Sequence, residues 1–172
     1  MQKIILIGYM GSGKTTIAQY LAKKKNVDWV DLDYLIEKET QISIPLLFET
    51  KGEIYFRTRE HQLFKQVLEQ EGNLIISAGG GTPCYANNHL LLKDEQVISI
   101  YLKGSIDTLY SRLLTEKHKR PLLANLSEVA LKEYIAKSLF ERSYFYNQAT
   151  FKLDIDQKSP ETITNEILNM LD

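Results

Sequence analysis

Residues 6–16 read LIGYMGSGKTT and contain the complete Walker A pattern, G-x4-G-K-T, beginning at Gly8. The apolar run at residues 4–7 predicts a buried strand before the pattern, and the residues after it have the apolar period of a helix. In such a loop, backbone N–H groups and the helix N-terminus bind phosphate oxygens. Lys14 can reach the β- and γ-phosphates, and the Thr15 hydroxyl is a ligand for Mg2+. The segment therefore predicts a site for ATP or GTP with Mg2+, rather than a glycine turn that binds nothing.

The rest of the chain alternates apolar runs with segments of helical period, which predicts one α/β domain over residues 1–172. A five-stranded parallel sheet covered by helices on both faces is expected, a three-layer α/β/α fold. Ligands of such folds bind at the carboxyl ends of the strands. The strands predicted after the first are DWVDLD (28–33), NLIISAGGG (73–81), VISIYLK (97–103) and TFKLDI (150–155).

Composition restricts the class of protein. The chain is 44% hydrophobic and 25% charged, as in ordinary globular proteins, and its net charge of −1 disfavours binding to nucleic acid or an anionic membrane. A single cysteine, Cys84, excludes an internal disulfide and fits a reducing cytosol. No apolar run is long enough to span a membrane. We therefore expect a cytoplasmic protein with neither a nucleic-acid nor a membrane partner.

Two acids in the DWVDLD segment indicate where a phosphoryl acceptor could bind. Asp31 and Asp33 are two residues apart on a predicted strand, so both carboxylates should point to the same side. One could hold Mg2+ through water, and the other could accept hydrogen bonds from an acceptor hydroxyl. The alternative is a pair of solvated acids at a strand end. The chain also lacks the base-reading Asn-Lys-x-Asp of GTPases, and strands three and four do not end in the Asp-Glu typical of motor ATPases.

Two arginines extend the apolar faces of predicted helices. Arg57 lies on the helix expected between Gly52 and about Gln70, and Arg142 lies on the long helix expected after Ser127. Such arginines can bind a carboxylate or phosphate through two parallel hydrogen bonds. The alternative is local surface pairing, for example of Arg57 with Glu60 one turn later.

The polar segment at residues 117–126, KHKRPLLANL, is a candidate lid. A mobile segment here could close over ATP, exclude water and bring the Arg120 guanidinium to the transferring phosphate. The alternative is a solvated loop, which is the usual fate of a run of charges.

Together these features resemble the shikimate kinase family, in the nucleoside-monophosphate-kinase-like branch of P-loop proteins. The resemblance covers nearly the whole chain. Its motifs are LIGYMGSGKTT (6–16), DLD (31–33), FETKGEIYFRTRE (48–60), ISAGGG (76–81), RPLL (120–123) and ERSYFYNQA (141–149). It implies transfer of the ATP γ-phosphoryl group to the 3-hydroxyl of shikimate, in the route to chorismate and aromatic amino acids. We also expect a monomer.

The resemblance implies a role for each matching position. Asp33 would hold the shikimate hydroxyls and serve as base, Arg57 and Arg142 would clamp the carboxylate, and the backbone of Gly79, Gly80 and Gly81 would line the shikimate site. Lys14 and Arg120 would act on the transferring phosphate, and Thr15 and Asp31 would hold Mg2+. Residues implied for ATP are Gly11, Ser12, Gly13, Lys14, Thr15, Thr16, Arg112, Arg120 and Lys158.

Two other functions remain open at the level of sequence. Another small-molecule or nucleotide kinase of the same fold would differ in the segment after the second strand. Adenylate kinases carry Gly-Thr after the loop lysine, whereas this chain has Thr15-Thr16. A non-catalytic nucleotide-binding module would lack the polar groups of the acceptor site, and here each of them is present.

Overall fold

The computed structural model describes residues 2–171, and its centre is a parallel sheet in the order β2-β3-β1-β4-β5. The strands are β1 (Lys3–Ile7), β2 (Asp28–Asp31), β3 (Leu74–Ser77), β4 (Val97–Lys103) and β5 (Phe151–Asp154). Each pairing between neighbouring strands is parallel. The predicted five-stranded parallel sheet is therefore confirmed. Met1 and Asp172, which belong to the predicted domain, lie outside the described residues.

Helices cover both faces of the sheet. They are α1 (Lys14–Lys25), α2 (Leu32–Thr40), α3 (Ile44–Glu69), α4 (Asn88–Leu91), α5 (Ile106–Glu116), α6 (Pro121–Ala124), α7 (Glu128–Tyr146) and α8 (Pro160–Leu171). Alternate residues of β1 enter different cores: Ile5 and Ile7 pack with α2, α3, α5 and α7, whereas Ile4 and Leu6 pack with α1 and α8. Burying each such side chain contributes about 1.5–3 kcal/mol. The two cores confirm the three-layer architecture.

The second strand is shorter than predicted. It ends at Asp31, and Leu32 and Asp33 form the first turn of α2, a helix that the sequence analysis did not predict. The Asp31 carboxylate accepts a hydrogen bond from the Tyr34 backbone N–H at 3.2 Å and so caps the helix. The prediction that both acids lie on one strand was therefore wrong.

Helix α3 is broken at Gly52, the residue after which the sequence analysis expected the helix that carries Arg57. Gly52 has a φ of 83° and a ψ of 171°, a conformation that residues with a side chain rarely adopt. The second half of α3 carries Phe56, Phe64 and Val67 into the core. This packing fixes the direction in which the polar residues of the same half point.

The candidate lid contains two short helical turns rather than an irregular loop. A 3-10 turn at Lys117–Lys119 is followed by α6. Leu123 is fully buried, whereas Leu122 keeps 73% of its surface exposed. Within residues 2–171, no helix combines the length and the apolar character needed to cross a membrane.

Candidate active site

A cavity of about 480 Å³ lies at the carboxyl ends of the strands. The phosphate loop, the start of α2, the end of β3, the end of α5 and the start of α8 all contribute to its wall. Most predicted site residues line it: Gly11, Ser12, Gly13, Lys14, Thr15, Thr16, Asp31, Asp33, Gly80, Arg112, Arg120 and Lys158. Four others, Arg57, Gly79, Gly81 and Arg142, adjoin this wall and are described below.

The phosphate loop turns its backbone inward through residues with positive φ, Gly8, Gly11 and Gly13. The Lys14 ammonium donates hydrogen bonds to the carbonyls of Gly8 at 2.9 Å and Tyr9 at 3.0 Å. Burial lowers the pKa of Lys14 to about 8, although the carboxylates of Asp33 and Asp31 oppose the shift. A phosphate oxygen would be a stronger partner for this ammonium than a neutral carbonyl.

Ser12, at the centre of the phosphate loop, also indicates a site for phosphate. Its side chain is 1% exposed, and its hydroxyl forms no hydrogen bond within residues 2–171. A buried hydroxyl without a partner is costly, so a bound phosphate would supply an acceptor. The residues of the loop therefore fit a nucleoside triphosphate.

Three oxygen-bearing side chains converge beside the loop. The Thr15 hydroxyl donates to the Asp31 carboxylate at 2.6 Å, and the Ser77 hydroxyl donates to the same carboxylate oxygen at 3.0 Å. The two hydroxyl oxygens are 3.3 Å apart. Mg2+ takes one or two oxygen ligands from protein and the rest from phosphate and water, so this set suits it. The sequence analysis had not included Ser77, which was visible only as the first residue of SAGGG.

Asp33 faces the cavity from the first turn of α2. Burial and the nearby carboxylates of Asp31 and Glu60 raise its pKa to about 6, against the opposing charges of Lys14 and Arg57. A Cβ atom on Gly79 would lie 2.7 Å from Asp33 Oδ1, so the glycine permits this close approach. A carboxylate with this pKa can accept a proton near neutral pH.

The Arg57 guanidinium is held on three sides. Its Nη1 pairs with Glu60 Oε2 at 2.8 Å, and its Cζ lies 3.9 Å from the centre of the Tyr85 ring. A Cβ atom on Gly81 would be 2.7 Å from Nη2, so the guanidinium would have to move if this residue had a side chain. The local pairing with Glu60 that we considered as an alternative does occur, but Glu60 is 1% exposed and the contact is buried rather than on the surface.

Arg142 approaches the glycines from α7. A Cβ atom on Gly80 would lie 3.4 Å from Arg142 Nη1, and the guanidinium lies 5.4 Å from the centre of the buried Tyr9 ring. The Tyr146 hydroxyl donates to the Gly80 carbonyl at 2.6 Å and fixes the loop on this side. Each of the two predicted arginines therefore packs against a different glycine of one loop.

Three further cations line the cavity near the phosphate loop. Arg112 donates to the Gly11 carbonyl at 3.1 Å, Arg120 pairs with Glu116 at 3.3 Å, and Lys158 pairs with Glu166 at 2.7 Å. The Nε atom of Arg120 is buried and forms no hydrogen bond in the described part of the chain.

The sequence analysis missed several residues that pack beside Arg57 and the three glycines. Glu60 was treated only as a surface partner of Arg57, while Tyr85 and Thr82 received no role. The one available signal for Glu60 was its place on the same apolar stripe as Arg57. No local pattern identifies Tyr85 or Thr82, because their contacts join segments that are distant in sequence.

Comparison with known proteins supports the family that the sequence motifs indicated. The family model for shikimate kinase matches residues 10–172. A shikimate kinase of Flavobacterium johnsoniae is 53% identical over 99% of both chains. The crystal structure of shikimate kinase from Bacteroides thetaiotaomicron superposes with a TM-score of 0.91 at 33% identity, covering 99% of this chain and 98% of that one. Shikimate kinase from Acinetobacter baumannii, in complex with shikimate, superposes with a TM-score of 0.89 at 30% identity, covering 99% and 93%.

Proposed function

Because the chain belongs to the shikimate kinase family of ATP-dependent phosphotransferases, we propose that its cavity transfers the γ-phosphoryl group of ATP to the 3-hydroxyl of shikimate. The products are shikimate 3-phosphate and ADP. One observation carries the proposal: Lys14 of the phosphate loop and Asp33 face the same cavity, with two arginines beside it. The relative from Acinetobacter baumannii, which shares the fold, is described in complex with shikimate.

The nucleotide occupies the phosphate-loop side of the cavity in this proposal. Backbone N–H groups of residues 11–16 and the N-terminus of α1 hold the phosphates, as is general for this loop. Arg112 and Lys158 border the adenine, since both line the wall beyond the loop. Thr15 and Asp31 would hold Mg2+, which would neutralise charge on the transferring phosphate.

Shikimate occupies the glycine side. Arg57 and Arg142 bind its carboxylate, because a guanidinium matches the geometry of a carboxylate. Arg57 Nε forms no hydrogen bond within residues 2–171; it lies 3.6 Å from the half-exposed Glu53 carboxylate, a contact that a bound carboxylate would replace. The backbone of Gly79–Gly81 lines the ring, and Asp33 accepts hydrogen bonds from the hydroxyls.

The chemical step follows from these positions. The 3-hydroxyl oxygen forms a bond to the γ-phosphorus while the bond from that phosphorus to the β–γ bridging oxygen breaks, and ADP leaves. Asp33 takes the hydroxyl proton, which its raised pKa allows. Lys14 and Arg120 stabilise the charge on the transferring group. Closure of the 117–126 segment excludes water, whose attack would waste ATP.

We further propose that the protein acts as a monomer in the cytoplasm. The proposed site needs no residue from a second copy of the chain, since the phosphate loop, Asp33 and both arginines already surround it. The net charge of −1 also provides no general attraction to nucleic acid or anionic membranes.

ADP formation with different acceptors tests the proposal. Shikimate, gluconate, nucleoside monophosphates and no acceptor are compared in the presence of ATP and Mg2+. We expect turnover with shikimate only. Arg57→Ala should raise the KM for shikimate about 10- to 100-fold through loss of charged hydrogen bonds. Asp33→Asn should lower kcat about 100-fold or more through loss of the base.

Arg59→Ala is the matched control. Arg59 lies two residues further along the same helix and pairs with Glu39 instead of facing the glycines. Its removal should leave the KM for shikimate unchanged. ADP formation that is indifferent to shikimate, or driven by another acceptor, would contradict the proposed reaction.

A further inference from the structure

A buried threonine outside the cavity wall connects the glycine loop to α3. Thr82 follows the three glycines directly and is 0% exposed. Its hydroxyl donates a hydrogen bond to Glu60 Oε1 at 2.7 Å. The backbone N–H of Thr82 also donates to the Gly79 carbonyl at 3.1 Å, which ties this residue to the turn of the loop.

Glu60 divides its two carboxylate oxygens between different partners. Oε1 accepts from Thr82, and Oε2 accepts from Arg57 Nη1 at 2.8 Å. With the side chain 1% exposed, water is excluded from both contacts. A buried carboxylate that lost one donor would turn to satisfy the freed oxygen, because leaving it unpaired is costly. Such a turn would shift the guanidinium bonded to the other oxygen.

A second connection joins the same two segments. The Thr82 carbonyl accepts from Asn88 Nδ2 at 2.9 Å, and Asn88 Oδ1 lies 2.6 Å from His61 Nδ1. Asn88 is 0% exposed, and His61 follows Glu60 on α3. The glycine loop is therefore attached to α3 at two adjacent residues of the helix.

The two connections meet beside Gly79, where the relative positions of the acceptor-binding side chains are set. A Cβ atom on Gly79 would lie 2.9 Å from Thr82 Oγ1, 3.2 Å from Glu60 Oε1 and 2.7 Å from Asp33 Oδ1. Three polar side chains from three segments thus pack on one glycine. A shift of Glu60 would therefore alter the spacing between Arg57 and Asp33, which must contact different ends of one acceptor.

We propose that Thr82 is a positioning residue for the acceptor site: through Glu60, and supported by Asn88 and His61, it sets the position of the Arg57 guanidinium relative to the glycine loop. This inference rests on the proposed function, in which Arg57 binds the shikimate carboxylate. Thr82 does not line the cavity, so it acts through Arg57 rather than by contact with the acceptor.

Steady-state kinetics of Thr82→Val test the proposal, because valine fills the same volume without the hydroxyl. We expect the KM for shikimate to rise about fivefold, less than for direct loss of a hydrogen bond to a charged group, because Thr82 acts on the acceptor only through Arg57. The KM for ATP should stay unchanged, and kcat should fall less than twofold. Thr82→Ser restores the hydroxyl and should restore the KM for shikimate. Thr82→Ala repeats the loss with a smaller side chain.

Thr164→Val is the matched control. Thr164 is also 0% exposed, but its hydroxyl donates to the Pro160 carbonyl at 2.7 Å, within α8. This control should lower the thermal unfolding midpoint to a similar extent without changing the KM for shikimate. The proposal is overturned if Thr82→Val leaves that KM at the wild-type value, or if both valine variants change the kinetics alike. Failure of both Thr82→Val and Thr82→Ala to fold would also overturn it, by assigning the threonine to stability.

Arg57→Ala separates failure of the inference from failure of the proposed function. A high KM for shikimate in Arg57→Ala with a normal KM in Thr82→Val rejects the positioning role alone. Normal values in both variants reject the acceptor site itself.

Discussion

The two sides of the proposed site, the nucleotide side at the phosphate loop (residues 11–16) and the acceptor side at Asp33, Arg57, Arg142 and the three glycines, are built in different ways. On the nucleotide side, six consecutive residues, 11–16, line the cavity, and the Lys14 ammonium among them is held by the carbonyls of Gly8 and Tyr9. On the acceptor side, the polar groups come from α2, α3, α7 and the loop after β3, and no two of Asp33, Arg57 and Arg142 are neighbours in sequence. The first is local in the chain, whereas the second exists only in the folded molecule.

This difference affects how each side tolerates change. Backbone groups are fixed by the conformation of the phosphate loop, so the nucleotide side depends on few side chains. The acceptor arginines depend on buried partners such as Glu60 and Tyr85. We therefore expect substitutions on the nucleotide side to change mainly the KM for ATP and kcat. Substitutions on the acceptor side should change mainly the KM for shikimate.

Replacement of Lys14 should have the largest effect. Lys14→Met keeps the length of the side chain but removes the only charge in residues 11–16. We expect kcat to fall about 1000-fold, since a preorganised charge at the transferring phosphate is lost. Lys23→Met, an exposed lysine on the same helix, serves as the control in the same ADP assay. A fall of less than tenfold in Lys14→Met would contradict the role of this lysine.

The dependence on pH should distinguish the two sides. Asp33 must be ionised to accept a proton, and its pKa is about 6, so kcat/KM for shikimate should rise as the pH increases through 6. Lys14 must be protonated to attract phosphate, and its pKa is about 8, so kcat/KM for ATP should fall as the pH increases through 8. Initial rates between about pH 5 and pH 9.5 with each substrate varied in turn measure both limbs.

Asp33→Asn provides the control for the acidic limb, which should be absent from its residual activity.

A raised pKa means that Asp33 contributes stability only when protonated, and this contribution is lost as the pH rises through 6. The thermal unfolding midpoint of Asp33→Asn at pH 7 should therefore exceed that of the wild type. An acidic limb that persists in this variant would assign the limb to another group.

Replacement of Tyr85 should have the smallest effect. Tyr85→Leu removes the ring that covers the Arg57 guanidinium at 3.9 Å. Loss of a partly exposed cation–π contact, worth about 0.5–1 kcal/mol, should raise the KM for shikimate about two- to fivefold. Tyr85→Phe keeps the ring and should behave as the wild type. An equal rise in both variants would show that the hydroxyl, and not the ring, matters at this position.

The sequence predicted the elements of the fold well because their signals are local. The runs that became β1 and β4 were identified at their observed limits or close to them, since a buried parallel strand is a short uninterrupted apolar run. The predicted end of β2 was wrong, and this error also has a physical cause. Polar and apolar residues alternate in DWVDLD (28–33), as they do in a strand. The chain nevertheless continues as helix α2, because Asp31 caps the helix and Leu32 and Ile36 are buried.

By itself, the sequence determined the phosphate loop, the five strands with most of the helices between them, and the residue types of the arginines and acids proposed for the acceptor site. Each of these follows from spacing along the chain, either in a contiguous motif or in the period of an element. Only the tertiary structure decided how the acceptor groups are held: Glu60 between Arg57 and Thr82, Arg57 against Gly81, and Arg142 against Gly80. These contacts join segments separated by 20 residues or more, apart from the Arg57–Glu60 pair within α3. Their partners are selected by burial and by the need to satisfy buried charges, which exist only after the sheet and helices have packed.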